Sequence, residues 1–165
     1  MKNNKGFSLI ELIVTIAILA LFSTGVLAGL GYLEMANSQK CVAKIDSGLM
    51  TLKSRNMANS NRTYMHIYQY NDGKYYLAFS EAADYDEACN FNPKGTDDVI
   101  GNRKLKISYL GKEIGVNECI HIGINKKDGS FDEKPHLSAL STITVEGSTT
   151  HSINLVTATG KYYKE

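Results

Sequence analysis

The hydrophobic pattern divides the chain into an apolar beginning, an amphipathic middle and an alternating remainder. From Phe7 to Leu33 every residue is apolar, small or hydroxylic, with the single exception of Glu11. Between Glu34 and Met57 apolar residues recur every three or four positions, which indicates an amphipathic helix. The stripe consists of Val42, Ile45, Leu49 and Leu52, bordered by Ser38 and Cys41. We therefore predict one helix from about residue 7 to residue 58, ending at the cluster 59–61.

From Arg62 onwards the hydrophobic period changes to two, which is typical of strands. Residues 63–70 and 75–79 alternate on either side of the turn 71–74, and this predicts a β-hairpin. Further strands are predicted at 104–110, 119–124, 142–146 and 152–156. Residues 80–103 are polar and irregular and are predicted to form a long surface loop. The predicted fold class is α+β, with a long N-terminal helical spine packed against an antiparallel sheet of five to seven strands.

The apolar beginning has several interpretations, and the two most familiar ones do not explain Glu11. A secretory signal peptide would have the basic residues Lys2 and Lys5 and a cleavage site near 26–28, but its apolar core would be too long. A transmembrane anchor fits better, because Leu12–Leu33 provides 22 uncharged residues, or about 33 Å of helix for a hydrocarbon core of about 30 Å. The basic flank would then stay in the cytoplasm. A carboxylate inside such a run is costly, so its presence needs a specific reason.

The stretch KGFSLIEL, residues 5–12, resembles the class III leader junction of type IV prepilins and type II secretion pseudopilins. The resemblance implies that a membrane peptidase cuts after Gly6 and methylates the new amine of Phe7. It also implies that Glu11 faces the N-terminal amine of a neighbouring subunit in a filament, where the two charges neutralise each other. Such a pair would set the register of assembly, because a wrong register leaves two buried charges unpaired.

The same resemblance implies how the chain is organised and what it contacts. Residues 1–6 would be the leader, 7–33 a transmembrane and filament-core helix, 34–61 its amphipathic half, and 62–165 the β-rich head of a pilin fold. The implied partners are sibling pilin subunits in a helical filament, the prepilin peptidase, the pilus assembly platform with its ATPase, and the cytoplasmic membrane before assembly. The implied localisation is a single-pass cytoplasmic membrane protein with its head outside, and then an extracellular filament.

The C-terminal stretch ITVEGSTTHSINLVTATGKYYKE resembles the closing strands of GspH/FimT-type minor pilins, which often end near a Thr-Gly-basic step. Here that step is Thr159-Gly160-Lys161. The resemblance favours a minor subunit of a type IV pilus, with a type II secretion pseudopilin and a DNA-binding minor pilin as alternatives. DNA contact would involve Lys161 and Lys164, which flank two tyrosines. With 18 basic and 17 acidic residues and a net charge of +1, the chain has no broad basic surface, so nucleic acid is not an expected partner.

Three cysteines leave at least one thiol outside any intramolecular disulfide. Cys41 lies at the edge of the helical stripe and is predicted to be a small packed residue. Cys89 and Cys119 both lie in the polar part of the chain and could form a disulfide. That pairing stays open, because the surface proteins of an anaerobe need not be oxidised. The frequent use of Lys, Asn, Ile and Tyr suggests only that the source is a low-GC bacterium.

The sequence contains no recognisable catalytic or metal-binding motif. The four histidines are scattered at His66, His121, His136 and His151. His66 and His121 fall in predicted strands, opposite the isoleucine faces, and are predicted to be exposed sheet residues rather than ligands. Residues 125–133 lack the spacing of a calcium loop. We therefore expect a protein that is not an enzyme and has no cofactor and no metal.

Overall fold

The computed structural model describes residues 8–58, 60–81, 93–116, 118–132 and 140–165, with the backbone alone for 24–31 and 140. Gly6, Phe7, Cys89 and His136 lie outside the described residues. The chain forms two compact units, residues 1–34 and 35–165. The fold class is α+β, as predicted.

Helix α1 runs from Leu9 to Ala58, so the predicted helix is confirmed. In the second unit one stripe of this helix is buried. The stripe comprises Ser38, Cys41, Val42, Ile45, Leu49, Leu52 and Asn56. These positions recur every three or four residues, so the stripe faces one side of the helix. The stripe predicted from the sequence is therefore the packed face, and Cys41 is a core residue.

The described residues form nine strands and one short 3-10 helix. The strands are β1 (Tyr64–Gln69), β2 (Tyr75–Ser80), β3 (Asp98–Gly101), β4 (Lys106–Tyr109), β5 (Lys112–Glu113), β6 (Cys119–Gly123), β7 (Leu140–Glu146), β8 (Thr150–Val156) and β9 (Lys161–Lys164); the 3-10 helix is Thr157–Thr159. The predicted hairpin is confirmed as β1 and β2, which pair antiparallel. The other four predicted strands correspond to β4, β6, β7 and β8.

The prediction of a single sheet of five to seven strands is wrong, because the strands form two sheets. One sheet has the order β3-β2-β1-β6 and the other the order β5-β4-β7-β8-β9. β6 returns to pair with β1, whereas β4 pairs with β7, and this choice of partners separates the sheets. Part of the predicted 80–103 loop is also a strand, since β3 adds to the edge of the first sheet. Alternation identifies strands but does not determine their partners, which explains this error.

The core lies between the buried stripe of α1 and one face of each sheet. It combines helical residues such as Ile45 and Leu49 with residues of β1 and β2, such as Met65 and Leu77, and with Ile153 of β8. A second, smaller buried cluster on the opposite face of the first sheet contains Tyr68, Tyr76 and Ala78. Both faces of the first sheet are therefore partly buried, and this determines the surroundings of its histidines.

The end of α1 is tied to the start of β1 by one buried side chain. Asn56 donates from Nδ2 to the carbonyl oxygens of Leu52 and Thr63, at 3.1 and 2.8 Å. Its Oδ1 accepts from the backbone N of Thr63 at 2.9 Å. The amide group thereby satisfies backbone groups that the turn between helix and strand would otherwise leave unpaired.

Candidate functional site

The N-terminal end of α1 is closed by a reciprocal pair of hydrogen bonds between Ser8 and Glu11. The backbone N of Ser8 donates to Glu11 Oε2 at 3.0 Å, and the backbone N of Glu11 donates to Ser8 Oγ at 3.2 Å. This arrangement is a capping box, in which Ser8 is the N-cap and Glu11 is the third helical residue. The carboxylate also lies at the positive end of the helix dipole, where a negatively charged side chain stabilises the helix. Glu11 therefore has a structural role in the single chain.

The large apolar side chains after Glu11 are exposed on every side of the helix. Leu21 and Phe22 are each more than 70% exposed, and Ile13 and Ile16 are more than half exposed. The side chains of successive residues point in all directions around a helix, so exposed apolar side chains lie on every face of the described part of this segment. A surface this apolar and this continuous is typical of a segment that other molecules cover.

Two hydroxyl groups within the described part of this segment bond back to the helix itself. Thr15 Oγ1 donates to the Leu12 carbonyl oxygen at 2.8 Å, and Ser23 Oγ donates to the Leu19 carbonyl oxygen at 2.7 Å. Each polar hydrogen is thus satisfied without a partner outside the segment. The segment can be buried in an apolar environment at little cost from these two residues.

Residues 1–27 match the family model described as the prokaryotic N-terminal methylation motif. The match shows that the N-terminal segment is similar to the leader and helix start of type IV pilin-like proteins. The match includes the KGFSLIEL junction and the apolar helix that follows it, so the resemblance seen in the sequence is confirmed. No curated protein and no solved structure matches the chain. Within the described part of the chain, no helix is long and apolar enough to cross a membrane.

Of the residues predicted for this pilin-like segment, the structure describes only Glu11. The cleavage and methylation residues Gly6 and Phe7 lie outside the described residues, as does Cys89 of the predicted disulfide. The sequence interpretation missed the capping role of Glu11. The signal was nevertheless present, because Ser8-x-x-Glu11 before an apolar run is the sequence signature of a capping box.

The C-terminal tail, where the less favoured DNA-binding alternative would place its contacts, forms the edge strand β9. Cross-strand partners share a face, and Tyr162 and Lys164 pair with the buried residues Leu155 and Ile153 of β8. Lys164 Nζ reaches Asp46 of α1, at 2.7 Å from Oδ2. The tail therefore fastens the second sheet to the helix.

Lys161 and Lys164 lie on opposite faces of β9, because side chains alternate along a strand. Lys161 pairs with Val156, whereas Lys164 pairs with Ile153 on the core side. The two lysines cannot contribute to one basic surface in this arrangement, and Lys164 already has an acidic partner. DNA binding through these lysines stays an untested alternative, and the geometry of the tail does not favour it.

Asp46 is expected to stabilise the head at neutral pH and to lose this effect in acid. Its hydrogen bond to Lys164, assisted by one from Tyr162, holds its pKa below the usual 3.8. A lowered carboxyl pKa contributes stability above the unfolded pKa, and that stability is lost as the pH falls through the folded pKa. Because Lys164 is half exposed, we expect Asp46→Asn to cost only about 0.5–1 kcal/mol at pH 7. Urea unfolding from pH 7 to pH 2 should show the difference from the wild type shrinking below about pH 4.

The matched control for this prediction is Lys161→Ala, which removes a lysine from the other face of β9. It should leave both the stability and its pH dependence unchanged. If Asp46→Asn were as stable as the wild type at pH 7, the contact between Asp46 and Lys164 would have no role in fastening the tail.

The prediction that His66 and His121 are exposed is wrong for His66, which is fully buried. The two residues are cross-strand partners on β1 and β6, and their Nδ1 atoms are 2.9 Å apart. His66 Nε2 lies 2.6 Å from Ser80 Oγ. Burial, with a smaller contribution from His121, lowers the pKa of His66 to about 3, so its imidazole is neutral. Both histidines do lie opposite the isoleucine face, as predicted, but the second buried cluster covers that side.

A cysteine completes this group on the same face of the sheet. Cys119 precedes His121 by two positions on β6, so the two side chains point the same way. Its Sγ lies 3.9 Å from His121 Nδ1. Among the described residues, His66, Cys119 and His121 form a group whose three potential ligand atoms lie within 4.8 Å of one another. Sequence reasoning missed this group because His66 and His121 are 55 residues apart and only the strand register brings them together.

Proposed function

We propose that the chain is a structural subunit of a type IV pilus, and a minor one. The leader ends at Gly6, prepilin peptidase removes it, and the amine of Phe7 is methylated. The subunit then enters the filament through its N-terminal helix, with the β-rich head outside. The role is structural and involves no catalysis.

The observation that carries this proposal is the combination of the matched methylation motif with an apolar helix exposed on all sides. Residues 1–27 specify a processed N-terminus, and the exposed side chains provide a surface that must be covered. In the proposed life cycle, lipid of the cytoplasmic membrane covers this surface first and sibling subunits cover it afterwards. The covering changes, but the apolar contact area is conserved, so that transfer from membrane to filament has no large hydrophobic cost.

Glu11 has two successive roles in this proposal. In the single chain it caps the helix through Oε2 and the backbone N of Ser8. A carboxylate has two oxygens and can accept several hydrogen bonds, so the cap leaves room for a further donor. In the filament that donor is the amine of Phe7 of a neighbouring subunit. Capping holds the carboxylate in a fixed position at the helix start, and this prepares it for the intersubunit pair.

The main alternative is a pseudopilin of a type II secretion system, which has the same kind of leader. Both assignments imply sibling subunits, prepilin peptidase, an assembly platform and its ATPase. They differ in the machine that pulls the subunit from the membrane. The minor-pilus assignment is supported by the resemblance of the C-terminal stretch to GspH/FimT-type minor pilins. The DNA-binding alternative has less support, since Lys161 and Lys164 lie on opposite faces of β9.

The mature N-terminus provides the direct test. We expect mass spectrometry of the protein from its native host to find a chain that begins at Phe7 and bears one methyl group on its amine. A Gly6→Val variant should keep residues 1–6, because the peptidase cuts after a small residue, and it should stay out of filaments. A mature chain that begins elsewhere, or an uncut Gly6→Val chain inside filaments, would contradict the proposal.

A further inference from the structure

We propose that His66, Cys119 and His121 bind one Zn²⁺ ion in the head of the protein. The site would consist of Nδ1 of each histidine and Sγ of the cysteine. It lies on the face of the first sheet that points away from α1. This inference does not depend on the proposed role of the N-terminal segment.

The spacing of the three atoms fits a tetrahedral ion. With Zn–N bonds of about 2.0–2.1 Å and a Zn–S bond of about 2.3 Å, tetrahedral angles place two nitrogens about 3.3 Å apart and sulfur about 3.6 Å from nitrogen. The observed separations are 2.9 Å between the two Nδ1 atoms and 3.9 Å from Cys119 Sγ to His121 Nδ1. These two separations differ from the tetrahedral values by about 0.4 Å or less, and all three atoms lie within 4.8 Å of one another, so side-chain rotations can bring them onto one ion.

The hydrogen bonds of His66 also suit a metal ligand. An imidazole binds a metal ion through one ring nitrogen and keeps its proton on the other. If the proton of His66 is on Nε2, that nitrogen donates to Ser80 Oγ, 2.6 Å away. Nδ1 then points its lone pair at His121 and Cys119. A hydrogen bond on the second nitrogen is the usual way in which proteins orient a metal-binding histidine.

The binding step releases one proton. Before binding, one Nδ1–H is shared between His66 and His121, and Cys119 carries its thiol proton. On binding, His66 keeps its proton on Nε2 and the proton of His121 moves from Nδ1 to Nε2, so each ring still has one proton; the Cys119 proton leaves to solvent as the S–Zn bond forms. Cys119 and His121 are each half-buried, so an ion can reach the site from the solvent-exposed side of these two residues. A nitrogen and thiolate donor set favours Zn²⁺ over Mg²⁺ or Ca²⁺, which prefer oxygen ligands.

The predicted disulfide between Cys89 and Cys119 and this metal site exclude each other, because a disulfide sulfur is not a thiolate ligand. Metal binding must therefore be measured with the thiols reduced. The test uses the full chain, solubilised in detergent, stripped of metal with a chelator and kept in a phosphine reductant. Co²⁺ is the probe, because a thiolate ligand gives it a charge-transfer absorption band that reports the Co–S bond directly.

We expect one Co²⁺ per chain, with the thiolate band, and displacement by Zn²⁺ with release of about one proton per ion. Cys119→Ser should abolish the band, and His121→Gln should weaken binding beyond the roughly 10–100-fold typical of losing an outer hydrogen bond. Ser80→Ala, which removes only the hydrogen bond to His66, should weaken binding within that range. Matched controls are Cys41→Ala and His151→Gln, which should bind as the wild type does; burial raises the pKa of the Cys41 thiol to about 12.

The wild type provides a second measurement that does not depend on whether a variant folds. Bound Zn²⁺ should protect Cys119 from alkylation, and free Zn²⁺ at about 100 times its Kd should lower the unfolding equilibrium constant about 100-fold. A wild type without saturable binding, or a thiolate band that persists in Cys119→Ser, would overturn the proposal. The three residues would then form a hydrogen-bonded polar cluster only.

Discussion

Glu11→Gln and Glu11→Ala should both keep the subunit out of filaments, and Glu11→Gln should do so almost as completely as Glu11→Ala. Glutamine preserves the capping box, since its side-chain oxygen can still accept from the backbone N of Ser8. It removes the charge, so the amine of the neighbouring Phe7 would be buried without a counter-charge. Removing one partner of a buried ion pair costs about 3–5 kcal/mol. We therefore expect incorporation into filaments to fall roughly 100- to 4,000-fold.

Ser8→Ala is the matched control, because it removes the other half of the same capping box. It deletes the hydroxyl that accepts from the backbone N of Glu11 at 3.2 Å but leaves the carboxylate charged. Losing an N-cap hydroxyl costs about 0.5–2 kcal/mol of helix stability. That loss frays the helix start in membrane and filament alike, so incorporation should fall only a few-fold. Immunoblots of sheared filaments, compared with total protein in whole cells, measure the ratio for each variant.

The three variants together separate the two roles of Glu11. If only capping matters, Glu11→Gln will resemble the wild type and Ser8→Ala will resemble Glu11→Ala. If the charge matters, Glu11→Gln will resemble Glu11→Ala, and Ser8→Ala will be closer to the wild type. Incorporation of Glu11→Gln at the wild-type level would remove the intersubunit ion pair from the proposed assembly mechanism.

Helix α1 was predictable because its information is local. The period of Val42, Ile45, Leu49 and Leu52 is visible in the sequence, and burial of that stripe follows from it. β3, β5 and β9 were missed because they are edge strands of two to four residues, too short to show alternation. The division into two sheets depends on the pairing of β6 with β1, a contact between distant segments that composition and period do not encode.

The candidate sites also differ in how far they could be predicted from the sequence. Glu11 was recognisable because an isolated carboxylate in an apolar run is costly, and both its motif and its cap lie within four residues. The cluster of His66, Cys119 and His121 was not, because it exists only once β1 and β6 adopt their register. The alternative of a DNA contact at Lys161 and Lys164 depended on their closeness in sequence beside two tyrosines, whereas pairing with β8 places the two lysines on opposite faces.

Among the described glycines of the head, Gly160 occupies the most constrained position. It follows the 3-10 helix, adopts a left-handed conformation with φ 63° and leads the chain into β9. A Cβ at this position would lie 1.8 Å from the backbone oxygen of Gly129. The obstacle is backbone, not a flexible side chain, so the two turns would have to separate. This geometry explains physically why the chain has glycine at the Thr-Gly-basic step.

Gly160→Ala should therefore destabilise the head by about 3 kcal/mol or more, since the left-handed conformation alone costs an alanine about 1–2 kcal/mol and the clash adds to it. For a domain of this size the loss corresponds to a fall in Tm of about 6–12 °C. Thermal unfolding of the full chain in detergent, followed by near-ultraviolet circular dichroism, measures the change. Gly111→Ala is the matched control, because Gly111 has φ 78° but open space around its Cβ position, and it should cost only about 1 kcal/mol. Equal losses in the two variants would show that the contact with Gly129 does not constrain the entry into β9.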